Sequence, residues 1–145
     1  MAEPGLILTP PAKGTSDPMA LERDDGFLTA SEIATLKLDA DWVILSACNT
    51  AGAQGEGAEA LSGMARAFFY AGARALLVSN WEVESDAAVK LTTRAFAELK
   101  AHPEIGRSAA MRISMRELIE KGSLAEAHPS QWAPFVVVGE GAASK

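Results

Sequence analysis

Three short apolar runs constrain the fold of this chain more than any other feature of its sequence. They are WVILSA at 42–47, ALLVSN at 75–80 and FVVVG at 135–139. The first run is continuous rather than alternating, which is typical of a strand covered on both faces, as in a parallel sheet, and the other two are predicted as a second buried strand and a last strand. The runs therefore predict an α/β domain with a mostly parallel sheet flanked by helices.

Helical patterns occupy the segments between these runs. Met64 and Phe68 recur at helical spacing before Gly72, which predicts a helix that ends at that glycine. Two further helices are predicted between the second and third runs, the first N-capped by Ser85 and the second closed by Gly122. The predicted order is strand, helix, strand, helix, helix, strand.

The segment that precedes the first run is less regular. Residues 1–26 are rich in Pro, Gly, Ser and Asp, which predicts a loop-rich region, with GLIL at 5–8 as a short strand. A small helix follows, capped by Thr29 or Ser31. Glu32 stands three residues after Thr29, which is the spacing of a capping box.

Size and charge narrow the class of protein. The 145 residues fit a single domain, but three strong strands are few for a doubly wound sheet, so we expect the chain to be part of a larger domain. A net charge of -6 argues against direct binding to nucleic acid or to an anionic membrane. No apolar run approaches the roughly 18 residues of a membrane span. The single cysteine cannot form an internal disulfide and fits the cytoplasm, where we expect the protein.

The first candidate for chemistry is Cys48, the only cysteine in the chain. It follows the first strand, and Asn80 and Trp81 follow the second in the same way. Ligands of open α/β sheets gather beyond the carboxyl ends of the strands, so these residues should face one crevice. The alternative is that Cys48 is structural, because an isolated free cysteine usually belongs to the core.

A nucleophilic thiol needs a base, and the chain has two histidines. His102 stands at a helix end and His128 in the segment that enters the last strand, and we interpret both as structural. Asp25 and Glu84 are acids that could line a pocket for a basic group, although carboxylates at turns and helix starts are commonly just solvated. No cofactor fingerprint or metal-binding spacing is present, so we expect neither.

Three segments together resemble the CHAT family. They are LSACNT at 45–50, the stretch from GEGAEALSG at 55–63 to SNWEV at 79–83, and HPSQWAPFVVVG at 128–139. CHAT domains are caspase-like cysteine peptidase domains, related to separases and often attached to tetratricopeptide repeats. The resemblance runs from DDGFLTASEIATL to FVVVG. It implies that residues 1–145 form the C-terminal part of a caspase-like domain, with 1–26 as its loop-rich beginning.

The resemblance also implies roles for individual residues. Cys48 matches the family nucleophile, and the substrate is then a peptide or protein. The family carries its base in a His-Gly pair at the end of the preceding strand, but no histidine precedes Cys48 in this sequence. We therefore expect the isolated chain to be inactive. The missing strand would also leave the Cys48 strand at a sheet edge, which predicts self-association.

The remaining pocket candidates surround the cysteine. Ser46 stands two residues before it, where related enzymes that cleave after Lys or Arg often carry an acid. Asn49 follows it directly. The full set of pocket candidates is Ser46, Asn49, Asn80, Trp81, Glu84 and Asp25. The resemblance further implies a tetratricopeptide-repeat region in the full-length protein. The alternative hypothesis is a non-catalytic interaction module in which Cys48 is structural.

Overall fold

A computed structural model describes residues 3–8, 26–45 and 56–142 of the chain. Helices and strands alternate along it in the predicted order, with two short additions. The elements are β1 Gly5–Ile7, β2 Phe27–Thr29, α1 Ala30–Thr35, β3 Val43–Leu45, α2 Glu56–Tyr70, β4 Ala75–Ser79, α3 Ser85–Ala101, α4 Arg107–Lys121, α5 Pro129–Trp132 and β5 Phe135–Gly139. None of the helices in these ranges is long and apolar enough to cross a membrane.

The described strands form two sheets. β1 and β2 make a separate antiparallel pair, while the central sheet has the order β3-β4-β5. β3 runs parallel to β4, with Leu45 opposite Val78. β5 runs antiparallel to β4, with Phe135 opposite Ser79. The α/β class is thus confirmed.

The central sheet is mixed, which corrects the expectation of a mostly parallel one. The reason lies in the connection between β4 and β5, which contains two long helices instead of one. α3 carries the chain away from the carboxyl end of β4, and α4 packs against it and brings the chain back. The chain therefore enters β5 from the edge at which it left β4, and β5 must run in the opposite direction.

β4 lies between two layers of helices. All five of its residues are buried. Leu76 and Val78 face a cluster formed with α1 and α2, whereas Leu77 faces a second cluster formed with α3 and α4. The alternation of side chains along a strand sends neighbouring residues to opposite faces, so a strand between two helical layers must be apolar throughout. The prediction of a second buried strand is confirmed for β4.

Local sequence signals fix several of the helix ends. Thr29 caps α1: its Oγ1 accepts a hydrogen bond from the backbone N–H of Glu32 at 3.2 Å. The carboxylate of Glu32 accepts in return from the backbone N–H of Thr29 at 2.8 Å, which completes the predicted capping box. Gly72 follows α2 with a φ of 97°, a conformation that favours glycine. Gly122 is the C-cap of α4, as predicted.

The start of α3 differs from the prediction by one residue. Glu84 is the N-cap, and Ser85 is the first helical residue. The carbonyl oxygen of Glu84 already accepts a hydrogen bond from the N–H of Ala88 at 3.1 Å. The helical hydrogen-bond pattern therefore begins one residue earlier than the serine suggested.

Candidate functional site

The predicted site residues should meet at the carboxyl edge of the central sheet, by which we mean the side of the sheet where β3 and β4 end. β3 and β4 are adjacent and parallel, so both strands lead the chain to the same edge. Asn80 and Trp81 follow β4 there, and α3 begins a few residues later with Glu84 as its N-cap. The other candidates, Cys48, Ser46, Asn49 and Asp25, lie outside the described residues. The structure brings Asn80, Trp81 and Glu84 to one edge of the sheet, which is also the edge to which β3 leads.

The backbone of Asn80 ties this edge to the approach to β5. Its N–H donates to the carbonyl oxygen of Pro134 at 3.0 Å. The side chain of Asn80 is exposed. The segment that enters β5 therefore runs along the carboxyl end of β4, and it forms one side of the candidate site.

Trp81 is an exposed aromatic side chain with one anchored end. The residue is 44% exposed. The indole Nε1–H donates to the backbone carbonyl oxygen of Ser130 at 2.9 Å. The anchor lies at the polar end of the indole, so the hydrogen bond itself leaves the apolar part of the ring unused.

The anchor of Trp81 belongs to α5, the short helix at Pro129–Trp132. His128 is its N-cap, and the Nδ1 atom of His128 accepts from the backbone N–H of Ser130 at 3.2 Å. Trp132 also contributes, since its indole N–H donates to the carbonyl oxygen of Ala127 at 3.1 Å. Sequence reasoning placed no helix in this segment. The proline at the first helical position was the signal that could have identified the helix.

Glu84 is exposed and makes no side-chain hydrogen bond to the start of α3. Glu82 and Asp86 are exposed on either side of it. These carboxylates make the edge beside Trp81 acidic, and they favour the N-terminal end of a helix, where the backbone N–H groups carry partial positive charge. The arrangement fits solvated carboxylates at a helix start as well as it fits a pocket wall.

The two histidines lie at opposite edges of the sheet. α3 has 17 residues, and His102 is its C-cap. A helix of that length spans about 25 Å at 1.5 Å per residue. The C-terminal part of α3 reaches the start of β3, where Phe96 packs against Trp42 with ring centroids 5.3 Å apart and the rings tilted by 52°. His128 therefore lies at the candidate site, and His102 lies at the other end of the domain.

An ion pair holds the segment that leads to His128. Lys90 on α3 bonds to the carboxylate of Glu126. Glu126 also accepts from the backbone N–H of Ser123 at 2.9 Å. The hydrogen bond from Lys90, together with those from Ser123, lowers the pKa of Glu126 to about 2 from an ordinary value of 4.5. The carboxylate is thus ionised at neutral pH and fixes the turn at 123–127 against α3.

Two cavities have linings that include none of Asn80, Trp81 and Glu84. A groove of about 490 Å³ runs between α3 and α4, with Leu91 and Leu118 among its apolar residues. A smaller cavity of about 220 Å³ lies beside Trp42 and Arg107 at the opposite edge. Within the described ranges, no group of three His, Cys, Asp or Glu side chains could hold a metal ion.

Comparison with known families gives this arrangement a context. The profile of the CHAT domain matches residues 2–140. The chain belongs to the CHAT domain family. The match covers the β3 exit, Trp81 and the α5 segment, so every element of the carboxyl edge lies within the CHAT domain.

The curated relatives are much longer proteins. Tetratricopeptide repeat protein 28 of Mus musculus is 35% identical over 117 residues, and that match covers 77% of this chain. The protein of the same name from Homo sapiens is 33% identical over 112 residues. The matched region is 4% of the length of each relative. No solved structure gave a significant match.

Proposed function

We propose that this chain is the part of a CHAT-type cysteine peptidase domain that supplies the nucleophile, Cys48. The observation that carries the proposal is the parallel register of β3 and β4. It brings the end of β3, at Leu45, to the edge where Trp81 is exposed, and Cys48 follows three residues later in the sequence. Membership of a caspase-like family makes acyl transfer the chemistry that such an edge would perform.

In this mechanism the Cys48 thiolate attacks a peptide carbonyl carbon and forms a thioester. An imidazolium donates a proton to the departing amine, and water then hydrolyses the thioester with the imidazole as base. The backbone N–H of Cys48 would hold the oxyanion together with a second donor. Exposed Trp81 and Asn80 supply a wall for the peptide, and Glu84, Ser46, Asn49 and Asp25 are the further pocket residues.

The base comes from outside these 145 residues in our proposal. Two observations support this. His102 lies at the wrong edge of the sheet, and His128 uses its Nδ1 atom to cap α5. A cysteine without a charged partner is only a few per cent thiolate at neutral pH, so the isolated chain should be inactive.

Peptide cleavage by two chains of different length tests the proposal. The 145-residue chain should show no detectable peptidase activity and an ordinary rate of alkylation by iodoacetamide. A longer chain with the upstream His-Gly strand should cleave, and Cys48→Ala in that chain should abolish cleavage while its circular dichroism spectrum stays unchanged. Cleavage by the 145-residue chain that Cys48→Ala stops would overturn the proposal of an external base.

The alternative is a non-catalytic interaction module in which Cys48 is structural. The use of His128 Nδ1 to cap α5 favours it, as does the position of His102 at the other end of the domain. Under this alternative the longer chain stays inactive, and Cys48→Ala lowers the melting temperature because it removes a buried side chain. The same pair of measurements therefore separates the two hypotheses.

The edge position of β3 supports a proposal about assembly. Among the described strands, β3 pairs with β4 alone, and an edge strand with unpaired backbone groups recruits other strands. We expect the isolated chain to self-associate through this edge. Light scattering over a hundredfold range of protein concentration would detect it, and a monomer at every concentration would contradict it.

Two proposals concern the full-length protein: its domain composition and its location in the cell. The relatives carry tetratricopeptide repeat in their names, and this supports a repeat region in the full-length protein, with the CHAT domain acting on a peptide or protein. A cytoplasmic location is consistent with a single unpaired cysteine. Fractionation of cells that express the tagged full-length protein would test the location.

A further inference from the structure

The indole of Trp81 is linked to His128 through Ser130. Its Nε1–H donates to the carbonyl oxygen of Ser130, which lies 49 positions away in the sequence. Ser130 in turn is held by His128. The Nδ1 atom of His128 lies 3.2 Å from the backbone nitrogen of Ser130 and 2.9 Å from its Oγ. A chain of hydrogen bonds thus runs from His128 through Ser130 to Trp81.

The geometry assigns the proton of the imidazole. An Nδ1 atom that accepts from a backbone N–H must present its lone pair, so the neutral ring carries its proton on Nε2. In this arrangement the imidazole acts as an N-cap acceptor, the role that Asn, Asp, Ser and Thr side chains commonly take. If Nδ1 of His128 accepted a proton during catalysis, it could no longer accept the hydrogen bond that caps α5.

The N-cap contributes a large part of the stability of α5 because this helix is short. The helix has four residues, Pro129–Trp132, and a helix of one turn is not stable without external support. Its position at the carboxyl edge is secured separately, because Asn80 donates to Pro134 at 3.0 Å just before β5 begins. Loss of the cap would therefore loosen the turn that carries Ser130 while the strands around it stay in place.

We propose that His128 is a positioning residue: by capping α5 it fixes the Ser130 carbonyl, which holds the Trp81 indole as a wall for the substrate peptide. The substrate part of this statement rests on the function proposed above. His128 touches no reacting atom in this role. It acts on binding of the peptide, through the orientation of one aromatic ring.

Two substitutions separate a cap from a base. His128→Asn keeps a side-chain acceptor suited to an N-cap and removes the imidazole, while His128→Ala removes both. His102→Ala, at the opposite edge of the sheet, serves as the matched control. A positioning role predicts that Asn restores what Ala loses, whereas a base role predicts that both substitutions fail.

The first readout needs no enzymatic activity. Hydrogen exchange of the Trp81 indole N–H is followed by ¹H–¹⁵N NMR in the 145-residue chain, with the resonance assigned by its loss in Trp81→Phe. We expect exchange to rise roughly fivefold in His128→Ala, which corresponds to the loss of a typical N-cap, and to stay near the native rate in His128→Asn and His102→Ala. Unchanged exchange in His128→Ala overturns the inference. If His128→Ala unfolds, native-like exchange in His128→Asn supports the cap, and fast exchange in that variant overturns it.

The second readout is kinetic and uses the longer chain with the His-Gly strand. We expect His128→Ala to raise KM several-fold with kcat within about twofold, and His128→Asn to restore KM. A fall in kcat of a hundredfold or more in both variants would identify His128 as a base and overturn the inference. If the unmodified longer chain does not cleave peptides, the proposed function fails, and the NMR experiment still decides whether His128 positions Trp81.

Discussion

Replacement of Leu77 by alanine tests the two-layered architecture most directly. Leu77 is fully buried at the centre of β4, and its side chain packs into the cluster formed by α3, α4 and β5. The change removes three buried carbon atoms, worth about 2.4 kcal/mol at about 0.8 kcal/mol per methylene. The cavity that remains raises the expected loss in the free energy of unfolding to roughly 3–5 kcal/mol.

Urea denaturation followed by circular dichroism measures this loss. For a chain of this size the melting temperature should fall by roughly 10 °C or more. The control is Val136→Ala, on the neighbouring strand β5, where the side chain is 42% exposed and the expected loss is below about 1 kcal/mol. Equal losses for the two variants, or a loss below about 1 kcal/mol for Leu77→Ala, would refute the burial of β4 between two helical layers.

Three further predictions concern residues that stabilise the fold around the site. Glu126→Gln should destabilise the chain above pH 4.5 and have progressively less effect toward pH 2. The reason is that the interactions that lower the pKa of Glu126 stabilise the fold only while the carboxylate is ionised, and urea denaturation at pH 7 and pH 3 measures the difference. Thr29→Ala should cost about 1 kcal/mol in the free energy of unfolding, and Thr29→Ser should cost less because it keeps the cap. Gly72→Ala should cost roughly 1–2 kcal/mol, since the residue has a φ of 97°, and thermal denaturation should show the loss.

Much of the fold could be predicted because its signals are local. The apolar run of β4 predicted a second buried strand, and Leu76 and Leu77 are indeed buried, each in a different cluster. The capping box at Thr29 and the stop at Gly72 each depend on a few neighbouring residues. Signals of this kind can be identified without knowledge of the tertiary structure.

Features that depend on distant contacts could not be predicted. The direction of β5 follows from the packing of α4 against α3, and nothing in the sequence FVVVG indicates that direction. α5 was missed because its N-cap is a histidine, which is not one of the usual capping residues.

The candidate site divides in the same way. The position of Trp81 at the carboxyl edge followed from the order of strands. The hydrogen bond from its indole to the carbonyl oxygen of Ser130 joins residues 49 positions apart, and no local sequence pattern predicts such a bond. The sequence therefore predicted which side chain stands at the edge but not what holds it there.

The two sides of the carboxyl edge differ in how firmly they are held. On one side β4 pairs with two strands, and the chain that leaves it is tied down at once through Asn80 and Trp81. On the other side β3 has three residues and, within the described part of the chain, one partner strand. A nucleophile must be held within about half an ångström of its productive position. In the proposed enzyme, β4 thus supplies the fixed wall, and the geometry of the nucleophile has to be completed from the side of β3. Pairing of a further strand beside β3 would stabilise the sheet and fix the end of β3, from which the chain continues to Cys48, so that one event would serve both stability and catalysis.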